Sequence, residues 1–104
     1  MPTLRYEILL PLKYNDGSPV KYDKIQITRQ ELVDKFGAIT MEPQSIFGLW
    51  IYKEKEYEDE LIRVIVDAED TKETEEFFAS YKKILKERFK QIDIWITAFP
   101  IRII

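Results

Sequence analysis

Cysteine and histidine are both absent from the 104 residues. Without cysteine there is no disulfide frame, thiol nucleophile, zinc knuckle or iron–sulfur site; without histidine there is no imidazole base and no typical transition-metal ligand set. Glycine is scarce, at Gly17, Gly37 and Gly48. None of the three belongs to a phosphate-cradling array, so neither common nucleotide loop is present. No apolar run is long enough to cross a bilayer. The opening Met1-Pro2-Thr3-Leu4-Arg5 has no basic stretch leading into an apolar core, so a cytoplasmic protein without membrane attachment is expected. An excess of positive charge is missing too. Sixteen Lys plus Arg against nineteen Asp plus Glu give a net charge of −3, which argues against a general polyanion binder.

What is present is a chain of folded composition, 45% hydrophobic and 34% charged, with 13% aromatic residues. It has no repeat, low-complexity tract or linker, so residues 1–104 are read as one domain. Residues 3–12 alternate, Leu4, Tyr6, Ile8 and Leu10 against Arg5, Glu7 and Leu9, as a strand does. Asn15-Asp16-Gly17-Ser18-Pro19 is a dense turn signal, so the stretch to about Asp23 reads as a loop, or as a small hairpin in which Leu12–Tyr14 pair with Val20–Tyr22. Thr28-Arg29-Gln30-Glu31 has the form of a capping box, with Ile27 and Leu32 as its staple. A short first helix follows, starting there or one turn earlier near Lys24, and ending at Gly37. A loop through Pro43 leads to an aromatic, β-branched strand over 45–53. Lys53–Glu58 reads as a charged connection and 60–68 as the next strand. Asp70 or Thr71 caps a second helix whose stripe is Phe77, Phe78, Tyr81, Ile84, Leu85 and Phe89. The last strand spans about 92–99, interrupted by Pro100, before an apolar tail, Ile101–Ile104.

The order βαββαβ is that of an α+β ferredoxin-like sandwich: a four-stranded antiparallel sheet in the order 4-1-3-2, with both helices on one face. Turning the more apolar parity toward the helices predicts which residues the other face carries. Phe47, Leu49 and Ile51 go inward, as do Ile92, Ile94 and Ile96. Trp50, Tyr52, Arg63, Trp95 and Phe99 go to the open face, beside Arg5, Glu7 and Asp67. A monomer would leave an apolar patch of several hundred Å² in water, so a covering partner is expected, in the first place a second copy in a homodimer or larger homo-oligomer, or else the chain's own tail. A sharper possibility is a small-ligand cleft with Trp50, Tyr52 and Trp95 as walls and Arg63 as an anion anchor. Arg5, Glu7, Arg63 and Asp67 on neighbouring strands are also placed to neutralise one another.

Little else points to chemistry. Glu54, Glu56, Glu58, Asp59 and Glu60 form an acidic run without the spacing of a cation loop, and read as a solvated connection; no metal or other cofactor is implied. Glu60 is the single carboxylate worth testing as a general base, and no catalytic residue is assigned. An RNA-binding role is disfavoured, since the strand over 60–68 has no aromatic to stack a base and the Arg/Lys-Gly-aromatic run of the RRM is missing.

Phe36-Gly37-Ala38-Ile39-Thr40, Gly48-Leu49-Trp50 and Phe89-Lys90-Gln91 are similar to runs in uncharacterised short prokaryotic proteins of ferredoxin-like type. The resemblance implies the fold and transfers no active-site residue. In architecture the chain also resembles dimeric α+β barrel proteins, many of whose monooxygenase members use a histidine or a haem ligand that this chain cannot supply. The resulting expectation is a self-associating binding or assembly module that uses its open sheet face. The alternative is a cofactor-independent ligand-binding protein or enzyme with an aromatic cleft.

Overall fold

Alternation along the strands and a 3.6-residue stripe along the helices produce two layers. The structure, a computed structural model, describes residues 2–42 and 44–104; Pro43, within the predicted loop, lies outside the described residues. The elements are β1 (Thr3–Pro11), α1 (Tyr22–Phe36), β2 (Thr40–Met41), β3 (Ile46–Tyr52), β4 (Lys55–Glu69), α2 (Lys72–Arg88) and β5 (Ile96–Ile101). β4 is antiparallel to β1 on one side and to β2 and β3 on the other, with Met41 opposite Val64 and Ile46 opposite Leu61. β2 and β3 thus lie end to end along one edge of β4. With β5 on the far side of β1, the sheet has the expected antiparallel order and the ferredoxin-like α+β architecture, but five strands instead of the expected four, because Thr40 and Met41, within the predicted loop, pair with Ile65 and Val64 of β4.

The core forms where both periodicities meet. Tyr6, Ile8 and Leu10 of β1 and Ile62, Val64, Val66 and Ala68 of β4 are buried against Ile25 and Leu32 of α1 and Phe78, Tyr81 and Leu85 of α2, with Phe89 and Ile94 beyond them. Tyr6 stacks on Phe78 at 3.9 Å between ring centroids, tying strand to helix. Thr71 caps α2, its hydroxyl accepting from the Thr74 N–H at 3.1 Å, and Gly37 ends α1 at φ 85° with its N–H donating to Val33 O. The small hairpin around Gly17 also forms, through Tyr14 N–H to Ser18 O and Val20 N–H to Leu12 O.

Four local expectations are corrected. α1 begins at Tyr22, so Thr28 is not a cap: it is buried mid-helix and donates to Lys24 O, while Glu31 is engaged by α2. The burial of Ile25 and Leu32 with Thr28 between them extends the apolar stripe upstream, and Ile27 is exposed rather than stapled to Leu32. Lys53–Glu58 is not a connection. Lys53 and Glu54 alone turn the chain, at φ 51° and 66°, as in a two-residue hairpin of the primed type, so the acidic run lies largely on β4 instead of in a solvated loop. The turn lacks the usual Asn or Gly, and seven paired residues of β3 and β4 hold it in place of local preference. Ile84 lies on the solvent side of α2. Finally, β5 starts at Ile96 and runs through Pro100, leaving Ile92 exposed outside the strand while Ile94 is buried. The Leu9 N–H to Trp95 O bond sets the bonded parity of the β1–β5 pair, so the Pro100 nitrogen faces the outer edge and no ladder bond is lost.

The largest departure is one of length. β4 has 15 residues, a contour of roughly 45 Å counted over the steps between them at about 3.3 Å per step, whereas the 17 residues of α2 span roughly 25 Å. The helices therefore cannot cover all of β4. β3 and the first part of β4 project beyond them as an arm, and Phe47, Leu49 and Ile51, which have the helix-side parity, meet no helix: they are 63%, 57% and 75% exposed.

Candidate functional site

The open face divides into a charged centre and an aromatic end. In the centre, Arg5 donates twice to Asp67, at 2.8 and 3.1 Å. Arg63 Nη1 donates to both carboxylate oxygens of Glu42, at 3.0 and 3.1 Å, and its Nε lies 3.7 Å from Glu7 Oε2. That Nε is buried and has no hydrogen-bond partner. The mutual neutralisation of Arg5, Glu7, Arg63 and Asp67 is therefore present, with Glu42 as an added carboxylate. The Asp67 hydrogen bond also raises the Arg5 pKa further.

At the aromatic end, alternation brings Trp50 and Tyr52 of β3 beside Tyr57 and Asp59 of β4. The Trp50 indole stacks on Tyr57 at 4.4 Å and 16°, and its Nε1 donates to Asp59 Oδ2 at 2.5 Å. One side chain is thus held by both a ring and a carboxylate. Tyr52 is tilted against Trp50 at 6.4 Å. A groove of about 770 Å³ lies between this end and the segment before β5, lined by Trp50, Tyr52, Asp59, Leu61 and Trp95 together with Lys82 and Lys86 of α2. Trp95 is 63% exposed.

The five predicted interface or cleft residues are thus not all brought together. Trp50, Tyr52 and Trp95 line the groove; Arg63 belongs to the charged centre, and Phe99, partly exposed, lies opposite Arg5 on β5. Glu60 is on the other face, opposite Phe47 and 3.4 Å from Lys13 Nζ. The tail does not cover the patch, since Ile103 and Ile104 are exposed. Tyr57 and Asp59 were missed by sequence reasoning, although Tyr57, Asp59 and Leu61 do continue the alternation of the strand after them. Among the described residues no acidic cluster has the form of a metal site, and no helix is long and apolar enough to cross a membrane.

A second polar cluster ties the helices together. Arg88 Nη1 donates to Glu31 Oε1 at 2.6 Å and to Thr28 Oγ1 at 2.8 Å, while the Tyr81 hydroxyl donates to Glu31 at 2.9 Å. The Arg88 hydrogen bond holds the Glu31 carboxyl below the usual range, and burial, reinforced by Glu31, pushes Tyr81 up to about 12. None of these groups lines the groove beside Trp50, and their hydrogen bonds join α1 to α2.

No protein-family model matches the sequence, and no curated protein is recognisably related to it. Several solved structures share the fold. A phage SAM lyase in complex with S-methyl-5′-thioadenosine superposes with a TM-score of 0.72 at 13% identity, over 94% of this chain and 81% of that one. CutA1 from Oryza sativa gives 0.65 at 10% identity, over 98% and 82%. The divalent cation tolerance protein CutA1 from Thermus thermophilus gives 0.64 at 14% identity, over 97% and 85%. At such identities the likeness is one of fold.

Proposed function

We propose that this chain is a cytoplasmic self-associating module, a homodimer or larger homo-oligomer, whose working surface is the aromatic arm and the adjoining end of the open sheet face. The carrying observation is the exposure of Phe47, Leu49 and Ile51 on one side of the arm and of Trp95 near the other. Phe47, Leu49 and Ile51 alone form a contiguous row of roughly several hundred Å² of apolar surface, about the most that a small monomer leaves in water. The charged centre has its own counter-ions and supplies no anion anchor, which favours an assembly surface over a reaction centre. Sedimentation equilibrium at micromolar concentration tests the reading: an oligomer supports it, and a monomer that persists to the highest concentration overturns it.

A second reading, binding of a small planar ligand, is favoured by the groove between Trp50 and Trp95, whose volume falls in the range of small-molecule pockets. Adenine-bearing molecules are suitable probes, since one protein of this fold is seen with S-methyl-5′-thioadenosine. Titration of that compound against tryptophan fluorescence should give saturable quenching that Trp50→Ala reduces. An unchanged signal at millimolar concentration would eliminate this probe as a ligand.

A further inference from the structure

The two edges of the sheet are not equivalent. On β5 the outward backbone groups belong to the residues of Pro100 parity, and Pro100 has no N–H to offer, which blunts that edge. β3 carries neither proline nor charge in Ile46-Phe47-Gly48-Leu49-Trp50-Ile51-Tyr52, and among the described residues its outer side meets no other strand.

Which groups β3 leaves unpaired follows from its neighbour. Glu60 O of β4 accepts from Leu12 on the β1 side, and Arg63 O accepts from Glu42 on the β2 side. Odd-numbered residues of β4 therefore turn their backbone toward β3. They stand opposite Ile46, Gly48, Trp50 and Tyr52, so the N–H and C=O groups of Phe47, Leu49 and Ile51 point outward.

We infer that two copies of this chain join by pairing β3 with β3 antiparallel about a twofold axis at Leu49, extending the sheet across the interface; this rests on the self-association proposed above. In this register Leu49 faces its counterpart and Phe47 faces Ile51 of the other copy. Every outward N–H and C=O of the three residues then gains a partner. A slip of two residues strands one residue's pair of groups on each copy, and a slip of one mismatches the two faces.

Side chains agree with that register. Gly48 falls opposite Trp50 of the other copy at a non-bonded position, where opposing side chains come closest, so the residue without a Cβ meets the bulkiest one. Charge also favours edge pairing over stacking of the arms face to face. Glu56, Glu58 and Glu60 flank Ile51, Leu49 and Phe47 on one face. Stacked arms would bring these acidic rows against each other. Edge pairing instead separates them by three strand spacings, about 14 Å, beyond the screening length of about 8–10 Å in physiological salt.

The absence of cysteine makes the test clean. Directly opposed residues at a bonded position are about 5.5 Å apart at Cα, within disulfide range. Under mild oxidation Leu49→Cys should form a covalent dimer in high yield at concentrations where the native chain is associated. Phe47→Cys alone should not, yet a mixture of Phe47→Cys and Ile51→Cys chains should form the mixed dimer. Sedimentation of the native protein separates the two ways of failing. An assembly with an odd number of copies, or a dimer in which Leu49→Cys does not cross-link, overturns the β3 seam and leaves self-association standing. A monomer at every concentration overturns both.

Discussion

The helix-covered part of the sheet and the arm are built on one alternating pattern and have opposite surroundings. In the body Ile8, Leu10, Val64 and Val66 are sealed under Leu32, Leu85 and Phe89; in the arm Phe47, Leu49 and Ile51 occupy the equivalent parity and face solvent. Apolar alternation states that a face needs covering, not what will cover it. In the body the helices do so. In the arm the sheet outruns them, and the uncovered residues are the surface proposed above for a second copy.

Substitutions in the body should affect folding, and those in the arm should affect association. The largest effect is expected for Phe89→Ala, which empties a fully buried ring site and should cost about 3–5 kcal/mol in urea denaturation. A loss below about 1 kcal/mol would mean that the end of α2 does not seal the body. Arg88→Ala should cost about 1–3 kcal/mol, because Thr28 is buried and loses its charged donor along with Glu31.

The same variant should alter the pH dependence. Glu31 is held below its ordinary value of 4.5, so its contribution is present above that value in the native protein and is lost as pH falls through the lower folded one. Arg88→Ala should narrow the stability difference between neutral and acid pH; an undiminished difference would place the acid sensitivity elsewhere. Tyr81 acts in the opposite sense. With its pKa raised from 10.0 to about 12, its contribution is complete below pH 10 and declines toward pH 12. Tyr81→Phe should flatten that alkaline decline, followed by circular dichroism. The smallest effect on folding is expected in the arm: Ile51→Ser should change monomer stability by no more than about 0.5 kcal/mol while weakening self-association at least tenfold in sedimentation. A large loss of monomer stability would show that the arm belongs to the body's cooperative unit.

Much of the body was legible from residue order. The alternation of Leu4 to Leu10 and of Ile62 to Ala68, the Thr71 cap and the stripe from Phe78 to Phe89 all describe local periodicity, and each survives in the fold. The pairing of Arg5 with Asp67 and of Arg63 with Glu7 was equally readable once the strand order was set. The capping box at Thr28 misled because a buried threonine that back-bonds within a helix and one that caps it have the same sequence signature. The Lys53–Glu54 turn was hidden because its conformation comes from the pairing of β3 with β4 and not from its residue types. Hidden with it were Tyr57 and Asp59, the partners that orient Trp50.

Sequence by itself determined the excluded chemistry, the order of the long elements and the face that the residues of β1, β3 and β4 take, because composition and two-residue periodicity are local properties. Only the tertiary structure decided which apolar residues are sealed. Burial depends on how far one layer reaches over another, and a β4 nearly twice the span of the helices leaves Phe47, Leu49 and Ile51 beyond their cover.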